Sequence, residues 1–424
     1  MEPTVPPPSW PAWRILAATL PLFGISFCFE LYAVLNQPYL AELHLSPQAS
    51  ALCQGLGQAC AFVTQPLAGY CMDRSPSRHG PRRVCLAVGA ALTAVSQLWC
   101  GFASRVAGAF FAPGSAPHAT FVLAWAVLGV ALFNIAVNVE FVALRALVLA
   151  NLPEHLQAAG AAAQVLMLGL ANAACGLIML GLDLHAQTGR WAELYPVVAP
   201  IACMATVLSA HPALVFVEDP PTAAPEPPRN AASHLWSELR AMERRLWWAM
   251  LALFLGWLAF TPSQQFAGTV HSIRVTTEGT LAMSAATVLS APLIPALLRK
   301  VGGSWTQVGC AVIALLAQAL LLGGVFAPAL RSQTAVVLCL GLLGPLNAAL
   351  NSVHLVAIGT LAPRGSRGLY AGFFNCAVVA AQAVDAGLIA ALRAWCGPPA
   401  SVYVGFAFAL LLVPAALLAA RKSE

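Results

Sequence analysis

Charge is scarce in this chain: Asp, Glu, Lys and Arg make up 9% of its 424 residues, against 59% apolar ones. A water-soluble domain carries roughly 25% charged residues, so the composition excludes an ordinary soluble enzyme and places the chain in a bilayer. The net charge of +5 is modest and its basic residues are scattered over loops, which argues against a nucleic-acid partner. The sequence has no P-loop, no catalytic triad, no paired Asp and no His/Glu metal spacing. ATP hydrolysis, intramembrane catalysis, a metal and a cofactor are therefore not expected. The 12 cysteines show no C-x-x-C spacing. Cys53, Cys60, Cys175, Cys310 and Cys376 fall inside apolar runs and read as small packing residues, with a Cys100–Cys396 bridge as the alternative. No Asn-x-Ser/Thr sequon occurs. The start, Met1 to Pro11, is proline-rich without a basic n-region, so the first apolar run is expected to stay as a signal-anchor.

What the chain has instead is long apolar runs, each near the roughly 20 residues needed to cross the hydrocarbon. Twelve are expected: 15–40, 49–70, 84–103, 121–150, 156–182, 195–216, 246–265, 281–298, 308–326, 335–361, 369–392 and 402–420. With both termini in the cytosol, fifteen of the 21 Lys and Arg fall inside, five outside, and Arg145 within a span. That bias follows the positive-inside rule. The fold class expected is an all-α membrane protein of two six-helix halves. Residues 1–217 would form the first half, 218–243 a Pro- and Ala-rich cytosolic linker, and 244–424 the second. Arg299-Lys300-Val301-Gly302, after the eighth run, reads as a faint repeat of the Arg82-Arg83 loop after the second.

Polar residues inside apolar runs are costly and mark function by default. On the fourth helix, Asn138 lies about 40° and Arg145 about 20° from Asn134 around the axis, with Arg145 about 16 Å further along. These three form one stripe expected to face a central cavity; an arginine snorkelling to the headgroups is the alternative for Arg145. Glu140 projects from another face. The first helix offers Glu30, Tyr32, Asn36 and Gln37; Glu30 is either a proton carrier or a buried hydrogen-bond donor. The second half adds Trp257, Gln264 and Gln265, then Asn347, Asn351, Ser352 and His354, then Asn375, Gln382 and Asp385. Taken singly, each could be a helix–helix hydrogen bond. Together, amides and aromatic faces with few full charges suit a neutral polyol or sugar.

The segment Gly69 to Arg83 is a short basic turn between two apolar runs. Asp73 is placed to cap the following helix or to pair with an arginine, and Gly69, Arg74, Gly80, Arg82 and Arg83 complete a candidate conformational gate. The pattern Gly-x3-Asp-Arg with a following Gly and paired Arg resembles the loop signature of the major facilitator transporters. Gln65-Pro66-x-x-Gly69-Tyr70-x-x-Asp73-Arg74-x-x-Ser77-Arg78-x-Gly80-x-Arg82-Arg83 is similar to the sucrose–proton symporters of plants and the animal proton-associated sugar transporters, in the glycoside–pentoside–hexuronide group. Phe27 to Pro38, Arg145-Ala146-Leu147, Gly256-Trp257, and Gly368-Leu369 with Gly372, Asn375 and Gln382 extend the resemblance along the chain.

The resemblance implies alternating-access transport of a sugar, with a proton as possible co-substrate. It implies Asn134, Asn138, Arg145, Tyr32, Trp257, Gln265, Asn351, Asn375 and Gln382 as solute-binding residues. Asn134 and Gln265 stand where the family commonly has aspartates, and an amide does not accept a transported proton. Proton coupling would then fall to Glu30, Asp385 or Glu140, or be absent, leaving a facilitator. A non-transporting sensor or scaffold with the same fold is the rival class. Either the plasma membrane or an organelle membrane would suit.

Overall fold

The computed structural model describes residues 10–43, 45, 47–75, 77–181, 191–219, 231–270, 273–327, 332–397 and 399–423. Among these there is helix and no strand. The first half runs α1 (Ala12–Thr19), α2 (Pro21–Glu42), α3 (Pro47–Arg74), α4 (Pro81–Gly101), α5 (Ala103–Phe110), α6 (Ala116–Asn151), α7 (Gln157–Gly181) and α8 (Trp191–Phe216). A short α9 (Ala231–Ala241) follows. The second half runs α10 (Arg244–Val270), α11 (Ile273–Ser290), α12 (Ile294–Lys300), α13 (Gly303–Phe326), α14 (Gln333–Leu342), α15 (Gly344–Leu350), α16 (Val353–Leu361), α17 (Arg367–Cys396) and α18 (Ala400–Ser423).

Eleven of these segments, counting α1–α2, α11–α12 and α14–α16 as continuous, are long and apolar enough to cross a bilayer. The exception is α3. It is 28 residues long, but Gln54, Gln58, Gln65, Asp73 and Arg74 dilute its apolarity. Against the twelve runs expected, eleven segments qualify on length and composition among the described residues, and α3 does not. Leu177, Leu208 and Leu289 are more than 60% exposed on the outer surface, the arrangement of a protein solvated by lipid tails rather than water.

Two apolar cores form. One gathers Ile15 to Val217 from the first half; the other gathers Met242 to Leu412, with Leu149 as a guest. The faint sequence repeat has a backbone counterpart: Gly80 and Gly302 begin α4 and α13 at the same φ of 81°, a region open to glycine. All 12 cysteines are free, Cys100 buried and Cys396 exposed, so the Cys100–Cys396 alternative does not hold.

The halves meet most closely along α3 and α17. A Cβ on Gly372 would come within 2.7 Å of the Gln65 carbonyl oxygen, and one on Gly69 would overlap the Gly368 carbonyl. Further along the same face of α17, Ala383 and Ala386 are exposed. The two helices therefore touch at the Asp73 end and part toward the other. A second crossing pairs α7 with α11, where Gly169 lies against Val288.

Candidate functional site

The Asp73 end is tied by buried polar contacts. Asp73 accepts the Leu369 N–H at 2.9 Å, in the first turn of α17, and pairs with Arg82 at 3.4 Å. Arg82 also pairs with Asp219 at 3.1 Å, and Asp219 accepts the backbone N–H groups of Arg82 (2.7 Å) and Arg83 (3.2 Å). A carboxylate at a helix N-terminus satisfies orphan donors and meets the positive end of the dipole. Asp73 was expected to cap the next helix or find an arginine. It does pair with an arginine, but the helix it caps is α17, and α4 is capped by Asp219. The reason is the Gly80 turn, which lays Asp219 against the start of α4.

The other gate residues fall around this core. Arg74 lies over the Tyr70 ring at 4.9 Å and meets His234 of α9 at 2.6 Å; Arg83 donates to the Leu214 carbonyl. Arg367, at the start of α17, is 5% exposed and donates to the Leu149 carbonyl at 2.7 Å. It is a second strap between the halves.

Beyond this closed end lies a cavity of about 450 Å³, within the roughly 300–1,000 Å³ of small-molecule sites. It draws walls from both halves. The stripe on α6 faces it as a unit: Asn134, Asn138 and Arg145 are all buried and all line it. Asn134 donates to the Tyr32 hydroxyl at 3.3 Å, Asn138 donates to the Asn134 carbonyl at 2.6 Å, and Gln65 donates to the Asn138 side chain. Further along the same stripe, Arg145 donates to Asn375 Oδ1 on α17, and its guanidinium lies 4.0 Å over the Phe141 ring. Arg145 therefore points into the cavity and does not snorkel.

Glu30, Trp257, Asn351 and Gln382 also line the cavity. Asn351, which ends α15 at the break before α16, and His354 both line it; the Asn351 side-chain amide donates to the Asn347 carbonyl at 3.0 Å. Broken helices at depth are tolerated where they border a cavity. Two other candidates stand away from it. Glu140 is fully buried against α4, where Gly89 leaves room for it, and Asp385 is fully buried without a hydrogen-bond partner among the described residues. The Gln265 side chain lies outside the described residues.

A profile of the Major Facilitator Superfamily matches residues 18–344. The chain belongs to that superfamily. The chain is 27% identical over 139 residues to the human membrane-associated transporter protein, a match covering 32% of this chain and 25% of the relative. To the rice (Oryza sativa) sucrose transport protein SUT2 it is 32% identical over 111 residues, covering 25% and 22%. The matches thus span about a quarter of those relatives' own lengths. Among solved structures, a bacterial homologue of the iron transporter ferroportin, in an outward-facing state, superposes with a TM-score of 0.68 at 12% identity, covering 97% of this chain and 99% of that one. The proton:xylose symporter XylE superposes at 0.66 with 15% identity, covering 95% and 94%. At such identities the structural likeness shows the fold alone.

The cavity also uses residues that sequence reasoning passed over. Gln58 and Gln65 on α3, Asn172 on α7 and Met283 on α11 line it. Gln65 was quoted within the loop motif and not as a binding group; a search for amides at helical spacing on α3 would have found Gln58 and Gln65. Among the described residues no cluster of three or more His, Cys, Asp or Glu could hold a metal ion.

Proposed function

We propose that this protein is a twelve-span secondary transporter that carries a sugar or a similar small polar solute through the central cavity by alternating access. The two halves would be residues 1–217 and 244–424, joined by the 218–243 linker, with both termini and the Asp73 end in the cytosol. The observation that carries the reading is the cavity itself: the polar groups of Tyr32, Asn134, Asn138, Gln65 and Arg145 on the first half's wall, facing Asn375 and Trp257 across the boundary between halves. Amides donate to and accept from hydroxyls, and Trp257 offers a ring face. The sucrose transport proteins among its relatives favour a sugar-like cargo. Contact at the Asp73 end, with α3 and α17 parted beyond it, is the arrangement of a carrier open to the outside.

Glu30 is the acid on the cavity wall and the natural candidate to carry a proton; without it the protein would be a facilitator. Counterflow in proteoliposomes against a panel of sugars, sugar acids and polyols tests the transport reading, and absence of exchange for all of them would end it. Uptake with and without an imposed pH gradient tests coupling. If the Glu30→Gln variant kept gradient-driven uptake, Glu30 would not be the carrier.

A further inference from the structure

We infer that His234 on α9 is a proton-operated latch on the closed end: with its ring neutral it ties the second half to Arg74 of α3, and a proton taken up from the cytosol releases it. The inference rests on the reading that this end faces the cytosol and parts during turnover.

The α9 helix lies on the second half, where Leu235 and Leu239 pack against the core that also takes Tyr70 of α3. From there His234 reaches the first half. Its Nε2 lies 2.6 Å from Arg74 Nη2 and its ring 5.8 Å from the Tyr70 ring, over which the Arg74 guanidinium sits at 4.9 Å. Asp73 and Arg74 are consecutive, so the end of α3 is held twice, by α17 through Asp73 and by α9 through Arg74. A guanidinium has N–H donors and no acceptor. The Arg74–His234 bond therefore fixes the imidazole: Nε2 is the bare, accepting nitrogen and the ring is uncharged.

A second partner stands at the same nitrogen. Glu238, one turn along α9, has its Oε1 3.6 Å from His234 Nε2. A protonated ring carries N–H on both nitrogens, so it cannot accept from Arg74 and sets a like charge beside it. It can donate to Glu238 instead. One proton thus turns a bond between the halves into a bond within α9, and repulsion from Arg74 drives the exchange. The charged and titratable groups that face the ring are Arg74 and Tyr70 of α3 and Glu238 of its own helix; Glu238 in turn acts electrostatically on Tyr370 of α17. Arg240, the next cation along α9, is engaged over the Trp236 ring at 4.8 Å. The His234 side chain is 20% exposed, so solvent protons reach it, and imidazole is the side chain that ordinarily changes charge between about pH 5 and 8.

Hydrogen exchange on the full chain in detergent tests the latch without a cargo. The amides of 234–241 and of 367–371 are followed at about pH 7.5 and about pH 5.5, on either side of imidazole titration, each rate divided by the intrinsic rate of the free peptide. Protection of both segments is expected to fall about fivefold or more at the lower pH. His234→Gln, which accepts from Arg74 but takes no proton, should keep its protection at both. His234→Lys, a fixed cation, should lack it at both. The inference is overturned if 234–241 is equally protected at the two pH values, if it loses as much protection in His234→Gln, or if His234→Lys stays protected. A fall confined to 234–241, with 367–371 steady, overturns it as well, because α9 would then come away without easing the closed end. None of these results touches the transport reading, which stands or falls on counterflow.

Discussion

Asp73 on α3 accepts the backbone N–H of Leu369 on α17 at 2.9 Å, across 296 positions of chain. A side chain of the first half thus caps a helix of the second, and the cap exists only while the two ends touch. Any conformation in which α3 and α17 separate at this end must break this bond and leave the Leu369 N–H without its cap. The contact is consequently a state-specific bond, and it biases the equilibrium between the two facing states.

Replacing Asp73 by Asn keeps an acceptor but removes the charge at the helix terminus, a loss of roughly 1–2 kcal/mol. That corresponds to a shift of about 5–30-fold in the balance of states. Hydrogen exchange of the amides at 367–371 should speed up by a similar factor. Unchanged exchange there would show that Asp73 does not hold the end closed.

Asp219, itself buried, carries two backbone donors and the buried Arg82 guanidinium. Asp219→Ala should destabilise the protein by roughly 2–4 kcal/mol, the combined scale of a lost cap and an uncompensated buried charge. Thermal unfolding in detergent reads this directly, and Asp219→Asn should recover part of the loss by restoring an acceptor. An alanine variant as stable as the parent would contradict the assignment.

Gly69 faces the Gly368 carbonyl with no room for a Cβ, while Gly55 on the same helix has nothing within 4 Å. Gly69→Ala should wedge the α3–α17 contact open and lower turnover at least tenfold, by trapping one state. Gly55→Ala serves as the control and should leave turnover unchanged. Equal turnover in the two variants would refute the close-packing argument.

Tyr32→Phe removes the hydroxyl that Asn134 donates to at 3.3 Å and keeps the ring stacked on Phe133 at 4.8 Å. Stability should change little. The KM for the transported solute should rise about 3–10-fold, the worth of one hydrogen bond, with maximal rate nearly constant. A fall in maximal rate at constant KM would place Tyr32 in the conformational step and not in the binding step.

The legible part of the site was that written along single helices. Asn134, Asn138 and Arg145 share an axis, and a 3.6-residue period fixes their common face. Gln58 and Gln65 were less visible because α3 carries enough polarity to blur its own apolar signal. The burial of Arg367 against the Leu149 carbonyl was not legible either, because it is decided by a different helix.

Unaided, the order of residues determined the bilayer environment, the helical runs, the Gly69–Arg83 turn and the polar stripe on α6, since all of these follow from local composition and helical period. Tertiary structure alone decided that Asp73 caps α17, that Asp219 caps α4, and that Arg145 finds Asn375. Periodicity gives the direction in which a side chain leaves its own helix. What stands opposite is set by how helices far apart in sequence pack, and that packing is a property of the whole chain.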